Sequence, residues 1–143
     1  MSVEVEAFLD TNVLVYAVAP DESGKHRVAR DLVQRGFETG AFAVSTQVLL
    51  ELYVTTTRKI AAPLSADEAL GFVRALCEWQ VVPHTPELVT AALERADRLR
   101  ISPWDAAILE AARGIGCTRV LSEDLGHGVD YGGVRVENPF AKG

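Results

Sequence analysis

The chain has 143 residues, a net charge of −6 at neutral pH and a pI ≈ 5.0. That length suits one domain around one core, here residues 1–143, and a hydrophobic fraction of 48% is that of an ordinary globular protein rather than a disordered one. The acidic balance excludes a simple basic nucleic-acid-binding module.

Val5–Leu9 reads as a short buried strand, followed by a helix over Thr11–Val18 that Pro20 ends. Asp21–Gly24 is a loop in which Ser23 is expected to cap the next helix, His26–Phe37, with apolar positions at Val28, Leu32, Val33 and Phe37. Gly40 stops that helix, Ala41–Val44 is a second strand, and Thr46–Lys59 is a long helix that breaks before Ala61-Ala62-Pro63. Ser65-Ala66-Asp67-Glu68 is a capping-box sequence and predicts a helix from Ala66 to Glu78. Gln80–Val82 is a minimal third strand. Thr85-Pro86 and Ser102-Pro103 each pair a cap with proline at the first helical position, predicting helices to Leu99 and Gly114. Thr118–Leu121 is a fourth strand, Gly126–Gly133 a glycine-rich loop, and Val134–Val136 a last, edge strand.

Strands alternating with helices imply a parallel sheet covered on both faces. The sequence has no internal repeat, low-complexity tract or interdomain linker, and neither GxGxxG nor GxxxxGK[ST] occurs. Cys77 and Cys117 form no CxxC and are expected as buried or partly buried thiols. The acidic start MSVEVEAFLD is unlike a signal peptide and no apolar run approaches the ~20 residues of a membrane span, so a cytoplasmic setting is expected.

Four acids carry the chemical signal. Asp10 ends the first strand in VEAFLDTNVLVYA, Glu51 interrupts the apolar helix STQVLLELYVTTTRK, Asp105 opens SPWDAAILEAARGIG, and Asp124 follows the strand in TRVLSEDL. Each has an ordinary alternative. Asp10 is a good helix cap. Glu51 forms a narrow polar stripe with Gln47 and Thr55 that water or Arg58 can satisfy. Asp105 stands where a capping box places its acid, at a helix start that favours negative charge, and Asp124 suits a turn, with Glu123 able to take its place. Together they suggest convergence, because ligands of an open α/β sheet gather at the carboxyl ends of the strands. Four ionised carboxylates about 6 Å apart repel by roughly 3 kcal/mol per pair at an effective dielectric near 20. Such a cluster protonates in part, recruits basic side chains or binds cations, and oxygen-only ligands favour Mg²⁺ or Mn²⁺. His26, His84 and His127 lack metal-ligand spacing and read as surface or loop residues, with His127 near enough to Asp124 for a peripheral contact. Arg58 and Lys59 are candidate phosphate contacts, although such residues are usually solvated surface.

DTNVLVYA, the helix acid Glu51, WDAAILEAA and LSEDL, in that order over nearly the whole chain, resemble the PIN-domain ribonucleases. STQVLLELYVTTTRK and LSEDLGHG are similar to the VapC-type toxins of toxin–antitoxin pairs. The resemblance implies a three-layer α/β/α sandwich with a short, mostly parallel sheet, and Mg²⁺-dependent hydrolysis of RNA phosphodiester bonds. It implies catalytic roles for Asp10, Glu51, Asp105 and Asp124, with Asp10 and Asp105 holding Mg²⁺ (Mn²⁺ substituting) and Asn12 and Ser122 supporting the site. The fourth acid varies in the family, so Asp124 is the least secure of the set. Implied partners are an RNA substrate, a small antitoxin and a second copy of the chain.

Two other readings compete. A catalytically silent PIN-fold module would bind RNA or protein without its carboxylates. A small-molecule phosphatase of the haloacid-dehalogenase-like kind shares the strand-then-aspartate start but uses DxDxT, and Asn12 stands where the second acid is needed. A receiver domain lacks its acidic pair and late lysine, and without GxSxG a triad hydrolase has no support.

Overall fold

The computed structural model describes residues 4–20 and 23–141. Met1–Val3 of the acidic N-terminal stretch, Asp21–Glu22 of the expected loop, and Lys142–Gly143 lie outside the described residues. Strand β1 (Ala7–Leu9) leads into α1 (Thr11–Val18) and α2 (Lys25–Thr39). After β2 (Phe42–Ser45) come α3 (Thr46–Arg58) and α4 (Ala66–Leu76). Strand β3 (Gln80–Val82) is followed by α5 (Pro86–Leu99) and α6 (Pro103–Gly114), and the chain closes with β4 (Arg119–Leu121), β5 (Asp130–Tyr131) and β6 (Val134–Glu137).

Among the described residues the sheet has six strands in the order β3-β2-β1-β4-β6-β5, parallel except for the β5–β6 hairpin. Handedness then assigns the layers. The steps β1→β2→β3 advance in one direction, and right-handed crossovers place α1–α4 on one face. The step β3→β4 runs back past β1, which puts α5 and α6 on the other face. The packing agrees: α1 meets α2 and α3, α3 meets α4, whereas α5 packs on α6, which lies over β2, β4 and β6. The result is the expected three-layer α/β/α sandwich. Because both faces are covered, the central strands are apolar without alternation; Ala7, Phe8 and Leu9 are all buried, as is every residue of β2. Burying a side chain such as Leu9 stabilises the fold by about 1.5–3 kcal/mol. Gly36 lets α2 close onto the sheet edge, since a Cβ there would stand 2.3 Å from the Trp79 ring.

Four expectations are corrected. Helix α2 is capped by Gly24 in a left-handed conformation with no side-chain cap bond, not by Ser23. The glycine-rich loop contains β5, so β6 lies inside the sheet and β5 is the edge. Gly132 and Gly133, at φ 65° and 97°, make the two-residue turn between them, a conformation that matches the twist of a tight hairpin and that glycine adopts without steric cost. Helix α4 ends at Leu76 rather than Glu78, with Cys77, Glu78 and Trp79 winding on through shorter turn bonds. Cys77 is exposed, although Cys117 is buried; both are free thiols. Among the described residues no helix is long and apolar enough to cross a membrane.

Candidate active site

The strand order reverses between β1 and β4: the chain leaves β1 toward β2 and later returns to β1's other side. The crevice at the carboxyl ends of such a pair is where open α/β sheets hold ligands. Asp10 follows β1 and Ser122-Glu123-Asp124 follow β4, and the Asp10 N–H donates to the Leu121 carbonyl at 3.0 Å, which locks the two strand ends together.

Asp10 caps α1 with one oxygen only. Its Oδ1 accepts the Thr11 N–H at 2.7 Å, while Oδ2 accepts the Ser122 hydroxyl at 2.8 Å and faces the Asn12 amide at 3.4 Å. The cap reading and the site reading therefore both hold, on different oxygens. Asn12 donates to Asp124 Oδ2 at 2.9 Å and its own Oδ1 accepts the Glu123 N–H. One side-chain amide thus spaces Asp10 from Asp124 and pins the turn after β4. Ser122, fully buried, donates to Asp10 and accepts the Asp124 N–H at 3.2 Å.

Glu51 enters from α3. Its partners are not Arg58 but the Thr11 hydroxyl on Oε2 and the Gln47 amide on Oε1, both at 2.8 Å. The polar stripe Gln47–Glu51–Thr55 faces the cleft as a unit. Asp105 is the third residue of α6; its N–H donates to the Ser102 hydroxyl, so half of the capping box forms. The Asp105 carboxylate has no hydrogen-bond or ion-pair partner among the described residues, and it lines the same cleft. Asp10, Glu51, Asp105, Glu123 and Asp124 therefore all border one cavity of about 560 Å³, and no lysine, arginine or histidine is among its lining residues.

Glu123 and Asp124 part company here. Lys25 holds Glu123 at 2.6 Å and the Tyr16 hydroxyl donates to it at 3.0 Å, whereas Asp124 meets only the neutral Asn12. Neither Lys25 nor Tyr16 is marked by sequence spacing; the fold brings them 98 and 107 residues along the chain to Glu123. His127 accepts the Asn138 N–H with Nδ1 and His26 bonds the Tyr16 carbonyl. His84 lies in the loop between β3 and α5, as expected, but is half-buried, with its Nε2 buried and without a partner among the described residues. Lys59 is exposed and borders a depression that shares Glu51 and Thr55 with the cleft; Arg58 is exposed beside it.

Burial pushes the Asp10 carboxyl up from its ordinary 3.8 to about 6. The Ser122 and Thr11 bonds oppose that rise, and the charges of Glu51 and Asp124 add to it. An oxygen-only, negatively charged set with no cation among its lining residues fits a hard divalent ion. Among the described residues, however, no three acid, histidine or cysteine side chains stand close enough to hold one ion together. The Asn12 amide stands between Asp10 and Asp124, and Thr11 and Gln47 occupy the two oxygens of Glu51. The arrangement suits an ion that takes one or two carboxylates and keeps waters, as Mg²⁺ does, not a closed protein cage.

Comparison with known proteins bears on the fold and the family. No sequence match is found among curated proteins. The fold is similar to a toxin–antitoxin complex from Klebsiella pneumoniae (16% identity, 94% of this chain and 98% of that one, TM-score 0.68). It is also similar to DNA-bound VapBC from Salmonella typhimurium (19%, 94% and 98%, TM-score 0.66). A third likeness is to VapC20 of Mycobacterium tuberculosis, described as a sarcin-ricin-loop-cleaving toxin (22%, 83% and 90%, TM-score 0.65). At these identities the likeness is one of fold. The sequence model of the PIN domain matches residues 7–127, a span that runs from β1 through Asp10, Glu51 and Asp105 to the turn after Asp124, and the chain accordingly belongs to the PIN-domain family.

Proposed function

We propose that this chain is a divalent-metal-dependent endoribonuclease and the toxin of a toxin–antitoxin pair. The observation that carries the reading is a cleft at the strand-order reversal, lined by several carboxylates and by no basic side chain. Asp10 and Asp105 are the residues proposed to hold Mg²⁺, or Mn²⁺ in its place. A bound divalent ion supplies Lewis acidity toward phosphate oxygens and toward the attacking water. Glu51 and Asp124 orient that water, Glu51 from a carboxylate held on both oxygens and Asp124 from one held by the Asn12 amide at Oδ2. Ser122 and Asn12 hold Asp10 in place, and Lys25 neutralises Glu123, which leaves Asp124 as the acid of that turn directed to the site. Lys59, with Arg58, is proposed to meet a flanking phosphate, and loss of both charges should flatten the salt dependence of RNA binding.

The toxin–antitoxin complexes among the similar structures support an antitoxin partner for this chain; a cytoplasmic setting and a homodimer are proposed beside it. Light scattering should give twice the 15.5 kDa chain mass; a monomer at working concentrations would remove the dimer from the proposal.

The decisive test is cleavage of labelled total RNA with Mg²⁺, with EDTA and with Asp10→Asn. Discrete fragments that need both metal and Asp10 are expected, with a loss of at least about 10³-fold in the variant, since metal chemistry supplies several kcal/mol. Cleavage that persists in folded Asp10→Asn protein would sink the reading. That no three ligands surround one point among the described residues favours a second reading, a silent PIN module, which predicts RNA binding without cleavage that survives loss of all four carboxylates.

A further inference from the structure

Beside the acidic cleft lies a groove of about 480 Å³ bordered by Thr46, Gln47, Leu50, Glu51, His84 and Trp104. It shares Gln47, Glu51 and Trp104 with the cleft, so the two are one continuous surface. Its apolar walls are unusually open to water: Trp104 is 69% exposed and Leu50 71%. The Trp104 backbone is nevertheless firmly placed. Pro103 fixes the first helical position of α6, Ser102 caps it, and the Gln47 amide reaches the Trp104 carbonyl at 3.5 Å. His84 also borders the groove, but its Nε2 is buried and so closed to it.

We propose that Trp104 and Leu50 form a platform on which a nucleobase of single-stranded RNA stacks while its neighbouring phosphate lies in the carboxylate cleft. The proposal rests on the ribonuclease reading and assigns the residues that hold a base beside the cut site. Three observations carry it. A protein of net charge −6 with an acidic cleft gains little from general electrostatic attraction to phosphate, so affinity must come from elsewhere, and base stacking on an aromatic ring is the sequence-tolerant alternative. Trp104 precedes Asp105 directly, and consecutive Cα atoms stand about 3.8 Å apart, which brings the indole within a nucleotide's reach of the cleft. Finally, Trp104 and Leu50 are open to water while Pro103, the Ser102 cap and the Gln47 amide fix the Trp104 backbone, so the indole face is held ready for a flat ring. A base paired within a duplex presents no free face, so loops and single strands are selected.

The test compares homopolymeric RNA 12-mers with abasic ribose–phosphate 12-mers of equal charge, in Mg²⁺, against the parent, Trp104→Phe and Trp104→Ala proteins. Binding is read as affinity where the strand survives and as KM where it is cut. Trp104→Ala should weaken RNA binding by about 5- to 150-fold, the range of alanine substitutions at stacking residues. It should leave the abasic strand unaffected, and Trp104→Phe should recover most of the loss. Indole fluorescence should be quenched by RNA in the parent but not in Trp104→Phe, whose remaining Trp79 is buried. Equal losses on RNA and abasic strands, or none on either, would overturn the platform. A variant that dissociates a dimer with RNA affinity unchanged would also overturn it and assign the groove to a second copy of the chain. Quenching and base-dependent affinity without cleavage would leave the platform standing and remove the ribonuclease reading instead.

Discussion

Near the start of β4, Arg119 holds Glu137 at 2.7 Å and Glu6 at 3.6 Å, and Arg35 holds Glu6 at 2.7 Å. At the far end of the same strands, Asp10 and Asp124 meet only hydroxyls and amides. The contrast shows in their acidities. The Arg119 hydrogen bond holds the Glu137 carboxyl below its ordinary range, whereas burial lifts Asp10 to about 6. Among the described residues, ion pairing thus reaches Glu6, Glu137 and, at the cleft itself, Glu123, but neither Asp10 nor Asp124; perturbed carboxylates in a cleft are a recognised mark of a functional site.

The largest expected effect is on activity. Asp105→Asn should lower Mg²⁺-dependent RNA cleavage by about 10³-fold or more, while Glu137→Gln should change it less than about threefold, as a charge outside the cleft. Comparable losses in folded forms of both would erase the distinction between the two ends of the sheet.

The next effect is on stability in EDTA. Asp10 carries a folded-state pKa above its ordinary 3.8, so the folded protein binds the proton more tightly than the unfolded chain. The stabilisation from that proton is complete below about pH 4 and is lost as pH rises through about 6. At roughly 1.4 kcal/mol per pH unit, Asp10→Asn should stabilise the metal-free protein at pH 7 by up to about 3 kcal/mol and give no such gain at pH 3.5. Mg²⁺ should stabilise the parent at pH 7, by about 2.7 kcal/mol at a hundred times its Kd, and Asp10→Asn far less. Thermal melts at both pH values, with and without metal, decide this. A variant less stable than the parent at pH 7 would mean that the hydrogen bonds to Asp10 outweigh its burial.

The smallest effect belongs to the paired end. Arg119→Met should cost only about 0.2–1 kcal/mol, because both partners of the ion pair are about one-third exposed, and the cost should shrink in high salt. A salt-insensitive loss of several kcal/mol would mean that this network supports the fold more than exposed pairs do.

Local chemistry made part of this legible in the chain itself. A short apolar run followed by Asp-Thr-Asn marks a strand end with a carboxylate on it, and the Ser-Pro and Thr-Pro starts placed α5 and α6 to the residue. The Gln47–Glu51–Thr55 stripe was visible as a period on α3, and it does face the cleft. Partners brought together by tertiary packing were not legible. Nothing near Glu123 in sequence announces Lys25, nothing near Glu51 announces Thr11, and the choice between Glu123 and Asp124 turns on those contacts. The β5–β6 hairpin did leave a signal, a Gly-Gly pair between Asp130-Tyr131 and Val134, but β5 is only two residues long and lies within a polar, glycine-rich stretch. Trp104 stands in WDAAILEAA, but nothing in that run announces how open to water its ring is, since exposure is settled by what packs beside it.

The Asn12 bridge also sets an order of events in the life of the polypeptide. It joins side chains 112 residues apart, across strands that pair only after the long α5–α6 excursion has brought β4 back beside β1. Domains emerge from the ribosome from the N-terminus at roughly 5–20 residues per second. A nascent chain that has not yet delivered residues 119–124 therefore carries Asp10 on an open strand edge, with neither Ser122 nor Asp124 beside it. The carboxylate cleft is thus incomplete until β4 and the turn after it have been made, however early β1 and α1 form.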